Sequence, residues 1–409
     1  MRVLFVTWDG PGLTYLEGLF LPIFKGLKAS GFDFDVLQFR WGEPEQQRKI
    51  VRMMAEAGIG YRPVQVYRWG GNLGPFTSAI LGGRHIRRAI KDFKSDVVMP
   101  RSVLPAVATL AARASKIRPV LYDSDGLDVD ERVEFGRLDP TAMPYRVLRD
   151  AEAQLVRLSR GVLVRSRDGA NVLEARAGAP FRPDHFFLVA NGRDARRFTP
   201  LGREERARIR AGLGIGEDAP LVVYAGSVGY RYKTPRTGDF ALALRELRPD
   251  TRLLILSATP DVARDELIGR MPELEGMTTI MSVPPSEVAT YVAAADVGTA
   301  FIHASFATRA VSPVKTGEYL LSGLPLVGTR EVGDNEALIR AGLFFDEARG
   351  FDAAAQWVVD TVLPNRDALR DEARRIGLES FSLTRSVADY EAALAKFRRP
   401  YLPPANPFR

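Results

Sequence analysis

The chain has 409 residues, of which 46% are hydrophobic and 26% charged, a composition typical of a folded protein with about two domains. It contains no cysteine, which excludes disulfide bonds, thiolate catalysis and cysteine-ligated metal sites, and its three histidines argue against a histidine-rich metal centre. No apolar run approaches the roughly 20 residues of a membrane-spanning helix, and the apolar N-terminus is too short for a signal peptide, so we expect a cytoplasmic protein.

The net charge of +7 is unevenly distributed along the chain. Residues 1–190 contain 28 basic and 21 acidic residues, whereas the remainder contains 29 of each. A basic first half suggests an anionic partner, and an anionic membrane surface or a pyrophosphate-linked lipid acceptor fits better than nucleic acid. No nucleic-acid-binding motif is present, so nucleic acid is not an expected partner. The alternative is that the arginine excess only reflects a GC-rich genome.

Short apolar strands alternate with helices through the first half of the chain. This alternation predicts a mostly parallel sheet that is covered by helices on both faces. Helices are predicted at 84–94, 104–115 and 144–159, among others. The predicted strands are 3–7, 34–39, 64–67, 96–100, 119–123, 161–164 and 186–190.

The same alternation restarts after residue 200, which predicts a second doubly wound α/β unit. A polar stretch at 191–219 separates the two units, and a helix at about 382–397 closes the chain. We therefore predict an N-terminal domain (1–195), a C-terminal domain (196–381) and a closing helix and tail (382–409). The strands predicted here are 220–225, 252–257, 278–281, 297–300 and 324–327.

Two segments of the first domain carry polar or glycine-rich patterns after predicted strands. Gly10-Pro11-Gly12 is not a complete dinucleotide fingerprint, because Tyr15 stands where the last glycine would be, so no nicotinamide or flavin cofactor is expected. Asp123-Ser124-Asp125 is similar to the D-x-D metal motif of GT-A glycosyltransferases. The alternative is that these acids only form a solvated start of a helix.

In the second domain, two segments could hold a phosphate-containing ligand. Gly226-Ser227-Val228-Gly229 follows a buried strand, where a glycine loop lets a diphosphate approach the backbone, and Lys233 follows it. Ser312-Pro313 predicts a helix start with serine as the N-cap and proline at the first helical position. This helix would place Lys315 and Glu318 on one face, where they could bind a phosphate and sugar hydroxyls. The alternative is an ordinary solvated salt bridge.

The segment SPVKTGEYLLSGLPLVGT closely resembles the donor site of glycosyltransferase family 4, the retaining enzymes of the GT-B fold. The resemblance implies two Rossmann-like domains facing across a cleft, with the last helix crossing back to the first domain. It makes Glu318 the carboxylate that binds the donor ribose and Lys233 the lysine that neutralises the departing diphosphate. The implied donor-binding residues are Gly226, Ser227, Lys233, Ser312, Pro313, Lys315 and Glu318.

The chain departs from the family pattern at two positions. Ala310 stands where many relatives have a glutamate that contacts the transferred sugar, and Ser227 stands where they have an arginine. Arg231 or Arg236 is a candidate for supplying the missing positive charge.

The resemblance also places residues of the first domain and of the linker. On the acceptor or sugar side it implies Gly10, Gly12, Arg101 and Asp125. The linker VANGRDARRFTP is similar to the family pattern N-G-x-D-x-x-x-F-x-P, in which Asn191-Gly192 would form a turn and Phe198 would pack it, an architectural role.

The function implied is retaining transfer of a sugar from a UDP- or GDP-sugar to a glycan or polyprenyl-linked acceptor, in bacterial surface polysaccharide biosynthesis. The predicted catalytic residues are Lys233, Glu318 and Asp125, with no metal and no cofactor. The basic domain suggests peripheral contact with the anionic inner face of the membrane. Alternatives are a non-catalytic nucleotide-sugar-binding protein, or an epimerase or phosphorylase on the same two-domain plan.

Overall fold

The computed structural model describes residues 1–11, 15–70, 73–136, 138–178, 181 and 184–398. The chain divides into two compact units. The N-terminal unit comprises Met1–Val189 and the segment that begins at Ser386, and the C-terminal unit is Ala190–Arg385. The sequence prediction placed the two crossing points a few residues away, after 195 and after 381.

The N-terminal unit is built on parallel strands whose residues are mostly buried and apolar. The strands pair in the orders β3-β2-β1-β4 and β5-β6-β7, and isolated parallel bridges at Val98–Val120 and Arg101–Asp123 connect β4 to β5. The strands are β1 (Arg2–Asp9), β2 (Asp33–Arg40), β3 (Gly60–Gln65), β4 (Val97–Pro100), β5 (Leu121–Asp123), β6 (Gly161–Val164) and β7 (Phe186–Leu188).

Helices follow these strands in alternation. A π-helical turn at Leu16–Phe20 leads into the first α-helix. The helix predicted at 84–94 begins much earlier, at Leu73, since apolar residues at helical spacing continue toward the N-terminus. The helices are α1 (Leu21–Lys28), α2 (Pro44–Glu56), α3 (Leu73–Asp92), α4 (Val103–Ala111), α5 (Asp128–Glu134), α6 (Met143–Leu158) and α7 (Arg167–Ala177).

The C-terminal unit contains a parallel sheet with the strand order β10-β9-β8-β11-β12-β13. The order reverses between β8 and β11, and in doubly wound sheets ligands bind beyond the carboxyl ends of the strands at such a point. The last strand, β13, has only three residues and was not predicted from the sequence. The strands are β8 (Leu221–Ala225), β9 (Arg252–Leu256), β10 (Thr278–Met281), β11 (Val297–Ala300), β12 (Leu326–Gly328) and β13 (Phe344–Asp346).

Helices connect these strands, and α12 between β11 and β12 leads to the candidate site. The Tyr319 side chain ties this helix to the sheet, since its hydroxyl accepts a hydrogen bond from the N–H of Ala225 (3.0 Å) and donates one to the carbonyl of Thr299 (3.3 Å). The helices are α8 (Arg203–Gly212), α9 (Thr234–Leu247), α10 (Pro260–Leu267), α11 (Val288–Ala293), α12 (Val314–Leu321), α13 (Glu336–Arg340), α14 (Phe351–Trp357) and α15 (Arg366–Phe381).

The closing helix α16 (Leu383–Ala395) contributes side chains to the N-terminal unit. Ser30 donates a hydrogen bond to Glu391 (2.8 Å), and the Tyr390 hydroxyl donates one to Asp123 Oδ2 (3.3 Å). The parallel, helix-covered sheets of the two units confirm the predicted α/β class with two doubly wound, Rossmann-like units. Among the described helices, none combines the length and apolar character that crossing a bilayer requires.

A tight contact between Gly298 and the ring of Tyr319 provides a test of how α12 is held. A Cβ atom on Gly298 would lie 2.5 Å from Tyr319 Cδ2, so Gly298→Ala must displace the ring that connects α12 to β8. We expect the free energy of unfolding to fall by about 1–3 kcal/mol, measured by denaturant titration. Gly276→Ala is the control, because an added Cβ there meets no described heavy atom within 4 Å. Equal stability of the two variants would contradict this packing.

Candidate functional site

A glycine and a lysine meet at the carboxyl end of β8. Gly226 has a φ of +141°, a backbone conformation that favours glycine, and a Cβ atom there would lie 3.5 Å from Lys315 Nζ. The strand end and the helix that follows β11 therefore converge. The structure brings together two of the predicted donor-binding residues that are far apart in sequence.

The amine of Lys315 is buried without a polar partner. Its side chain is 8% exposed, and among the described residues no hydrogen-bond acceptor reaches Nζ. The amine lies 3.8 Å from the ring centroid of Tyr224 and 5.1 Å from that of Tyr232. Burial lowers the pKa of Lys315 to about 7, and the charge of Glu318 opposes this shift. The amine is therefore easily converted between its neutral and charged forms near neutral pH.

The start of α12 differs from the predicted one. The first helical residue is Val314, Pro313 takes the N-cap position with an extended ψ of 123°, and no side chain caps the helix. Ser312 is thus not the N-cap; it precedes a proline, which disfavours helical backbone at that residue. The carbonyl of Ser312 instead accepts a hydrogen bond from Asn191 Nδ2 (3.1 Å).

Glu318 pairs with an arginine that the sequence analysis had not singled out. Glu318 Oε1 accepts hydrogen bonds from Arg193 Nε (2.9 Å) and Nη2 (2.7 Å). Lys315 and Glu318 lie one turn apart as predicted, but both are buried, so the alternative of a solvated Lys–Glu salt bridge is wrong. The linker residue Arg193 therefore fixes Glu318, and the amine of Lys315 can still donate hydrogen bonds to a ligand.

Arg193 is itself fixed by the backbone. Its N–H donates to the carbonyl of Phe381 (2.8 Å), and its carbonyl accepts from the N–H of Leu383 (2.7 Å), next to a parallel bridge with Ser382. The linker therefore has a site-forming residue besides the predicted packing of Phe198, which is buried. Only the position of Arg193 directly after Asn191-Gly192 could have indicated this role.

Lys233 lies at the start of α9 in a left-handed conformation, with a φ of +40°. Its Nζ is 3.7 Å from Glu347 Oε1, and the guanidinium of Arg236 also pairs with this carboxylate. The hydroxyl of Thr329 donates a further hydrogen bond to Glu347. Glu347, which was not predicted from the sequence, thus forms ion pairs with both Lys233 and Arg236 through one buried carboxylate.

The two positions that depart from the family pattern have different environments. Ser227 is exposed, and its carbonyl accepts a hydrogen bond from the Tyr224 hydroxyl. Ala310 is buried at the end of a 3-10 turn (Ala307–Ala310). The other candidate cation, Arg231, lies in the 3-10 turn Tyr230–Tyr232, and its carbonyl accepts a hydrogen bond from the N–H of His303 (2.8 Å).

In the N-terminal unit, Arg101 and Asp125 are brought together at the ends of β4 and β5. Arg101 Nη2 lies 2.5 Å from Asp125 Oδ2, and Asp125 has a φ of +62°. Burial raises the pKa of Asp125, while the charges of Arg101 and Arg165 oppose the rise. A strained backbone at a strand end is frequent in functional sites.

The carboxylates of Asp123 and Asp125 face guanidinium groups. Arg165 Nη2 donates to both oxygens of Asp123 (2.8 and 3.0 Å). Both oxygens of Asp123 are thus bonded to a guanidinium, and Oδ2 of Asp125 pairs with Arg101, an arrangement that does not suit a D-x-D metal site. In the part of the chain that the structure describes, no group of three histidine or acidic residues is arranged to hold a metal ion.

The glycine loop after β1 is only partly described. A Cβ atom on Gly10 would lie 2.8 Å from Trp41 Cζ2, so this glycine is required by close packing. Gly12, predicted on the acceptor side, lies outside the described residues.

Solved structures share this fold over nearly the whole chain. HepE of Anabaena in complex with UDP and glucose is 16% identical with a TM-score of 0.69, and the alignment covers 97% of this chain and 100% of that one. Sucrose-phosphate synthase from Thermosynechococcus elongatus is 14% identical with a TM-score of 0.70, covering 97% and 99%. UDP-GlcNAc 2-epimerase from Neisseria meningitidis, bound to UDP-GlcNAc, is 15% identical with a TM-score of 0.60, covering 97% and 100%.

These likenesses show the fold, that of GT-B glycosyltransferases. No protein-family model matches the sequence, and no curated protein sequence matches it significantly.

The buried amine of Lys315 should lower the free energy of unfolding of the ligand-free protein. Its pKa is about 7 in the folded protein and 10.5 for an unperturbed lysine, so between these pH values the unfolded state binds more protons. The free energy of unfolding should therefore rise as the pH increases from 7 toward 10. Lys315→Met should stabilise the free protein at pH 7 by about 1–4 kcal/mol, with less gain at pH 9.5.

Chemical denaturation at both pH values measures this difference, and the exposed Lys116→Met serves as the control. Destabilisation by Lys315→Met at pH 7 would show that the lysine is a structural residue.

Proposed function

We propose that this chain is a glycosyltransferase that transfers a sugar, with retention of anomeric configuration, from a nucleotide diphosphate sugar to a glycan or lipid-linked acceptor. The observation that carries the proposal is the buried Lys315 amine beside Gly226 at the start of α12. Neighbours of the same fold were solved with UDP, with UDP and glucose, and with UDP-glucose.

A diphosphate satisfies what this site offers. Its oxygens would accept hydrogen bonds from Lys315 and from the unpaired N–H groups of the first turn of α12, where the helix dipole favours negative charge. The glycine at 226 lets the ligand approach the backbone at the end of β8. A negative ligand also favours the charged form of Lys315, which the free protein disfavours through burial.

The chemical step that we propose uses this charge arrangement. The bond between the anomeric carbon and the phosphate oxygen breaks, and its electron pair goes to the phosphate. The acceptor hydroxyl oxygen bonds to the anomeric carbon on the same face, and its proton passes to the departing phosphate oxygen. Lys315 and Lys233 stabilise the developing negative charge, which is the role of preorganised cations in such reactions.

Glu318 would bind the ribose hydroxyls of the donor. Both hydrogen bonds from Arg193 end on Oε1, so the second oxygen, Oε2, has no bond to this arginine. Arg193 is then a positioning residue that fixes the carboxylate while Oε2 accepts from the ligand. In the N-terminal unit, Arg101 and Asp125 would act on the sugar or acceptor, and the acceptor we favour is a polyprenyl-linked intermediate of surface polysaccharide synthesis.

Lys233→Ala tests the leaving-group role. Removing this cation should lower turnover by at least roughly tenfold, or about 1.4 kcal/mol of transition-state stabilisation. Turnover is measured as release of nucleoside diphosphate from a UDP- or GDP-sugar. Arg264→Ala, an exposed cation of the same unit, should leave the rate unchanged. A wild-type rate in Lys233→Ala would reject the role of this lysine in catalysis.

Thermal unfolding with UDP, GDP and their sugars tests donor binding. Saturation to 100 times the dissociation constant should stabilise the protein by about 2.7 kcal/mol, and one base should be preferred. Glu318→Ala should reduce affinity roughly tenfold, because charge-assisted hydrogen bonds to the ribose are lost. Glu336→Ala, which removes a surface carboxylate paired with Arg330, is the control. Equal affinity in both variants would rule out the ribose contact.

A second candidate is a nucleotide-sugar epimerase, because UDP-GlcNAc 2-epimerases share the fold at TM-scores of 0.60 and 0.61. Incubation of the donor without acceptor separates the two. An epimerase converts the sugar while it remains attached to, or is released from, the nucleotide, whereas a transferase requires the acceptor for efficient turnover.

A further inference from the structure

Polar side chains are buried side by side on β1 and β2, where a parallel sheet is ordinarily apolar on both faces. Thr7, Asp9, Gln38 and Arg40 are all buried, and Asp9 is the register partner of Arg40 at the carboxyl ends of the two strands. Ligands of doubly wound sheets bind beyond this edge. These residues are separate from the predicted acceptor residues Arg101 and Asp125.

Three of these side chains hold one another in place. Asp9 Oδ2 accepts hydrogen bonds from Thr7 Oγ1 (3.1 Å) and Gln38 Nε2 (2.7 Å). The Tyr61 hydroxyl donates to Gln38 Oε1 (2.5 Å). The carboxylate of Asp9 is therefore fixed in orientation by its neighbours.

Arg40 is much less well satisfied. It is 4% exposed, and its Nη2 donates a long hydrogen bond of 3.5 Å to Gln46 Oε1. Among the described residues, Nη1 has no hydrogen-bond partner and no carboxylate lies within 4 Å of the guanidinium. Arginines are almost never fully buried unless paired, because desolvation of the charge is costly. Nη1 of this buried guanidinium can therefore still donate to a ligand.

The charges around Arg40 indicate what that partner is. Burial raises the pKa of Asp9 and of Glu17, and the charge of Arg40 opposes the rise in both. Arg101 acts in the same sense on Asp9, and Lys49 on Glu17. Asp9 is the register partner of Arg40, so an anion bound at the guanidinium would lie beside this carboxylate. A neutral hydroxyl group fits, because its oxygen accepts from a guanidinium while its proton is donated to a carboxylate.

We propose that Arg40, Asp9 and Glu17 form a binding subsite for a neutral sugar at the carboxyl ends of β1 and β2. The identity of that sugar as part of the acceptor rests on the proposed function. Glu17 lies in the π-helical turn Leu16–Phe20, a feature that is frequent at functional sites.

Saturation-transfer difference NMR of the full chain tests the subsite. The probes are methyl glycosides of glucose, galactose, mannose and N-acetylglucosamine, with glucuronic acid and glucose 6-phosphate as anionic counterparts. At least one neutral glycoside should bind the wild-type protein and bind roughly tenfold more weakly to Arg40→Gln and to Glu17→Gln, because each loses a charge-assisted hydrogen bond. Arg48→Gln, an exposed arginine on α2, should bind like the wild type.

Two results would overturn the subsite. The first is that no neutral glycoside binds, or that the neutral glycosides bind Arg40→Gln and Glu17→Gln as tightly as the wild-type protein. The other is Arg40-dependent binding of the anionic sugars alone, which would show that the guanidinium serves an anion.

Thermal unfolding separates a binding role from a structural one. Arg40→Gln removes a buried and poorly paired charge, so its unfolding temperature should equal or exceed that of the wild type. A lower unfolding temperature together with lost sugar binding would show that Arg40 is structural. UDP is added as an independent probe of the C-terminal unit. UDP binding with no Arg40-dependent sugar binding rejects the subsite alone, whereas sugar binding without a response to UDP or GDP rejects the proposed donor site alone.

Discussion

The C-terminal unit buries one ionisable amine that, among the described residues, forms no hydrogen bond or ion pair. Lys315 meets the rings of Tyr224 and Tyr232 and the open backbone at Gly226. The position of Lys315 depends on the elements around it. The strand order reverses at β8, and Tyr319 connects α12 to the end of that strand. Arg193 binds Glu318, so this carboxylate does not pair with the lysine. A buried cation without a partner destabilises a free protein, and a phosphate-bearing ligand relieves that cost.

The N-terminal unit also contains buried cations, which here are arginines. Arg101 and Arg165 are compensated by Asp123 and Asp125, whereas Arg40 has no carboxylate within 4 Å among the described residues. Each unit thus has an under-satisfied cation at the carboxyl end of a buried strand. The buried apolar strands stabilise the two units, whereas the poorly paired cations at their ends reduce the stability.

The sequence predicted the parts of this protein that depend on local patterns. Apolar runs located the strands from β1 to β12 to within a few residues, and the resemblance around Pro313 located Lys315 and Glu318. Partnerships set by tertiary packing could not be predicted. Glu347 forms ion pairs with Lys233 and Arg236, which lie more than 100 residues away in sequence, and Arg193 of the linker binds Glu318. The helix start was misplaced by one position, because the extended ψ of Pro313 is decided by its surroundings.

The central claim is that a diphosphate charges the Lys315 amine when it binds. Isothermal titration calorimetry of UDP or GDP, in buffers that differ in ionisation enthalpy, counts the protons taken up on binding. At pH 8 the free amine, with its pKa near 7, is mostly neutral, so binding should take up between about 0.5 and 1 proton per chain, and none in Lys315→Met. Tight binding with no proton uptake by the wild-type protein would contradict the account.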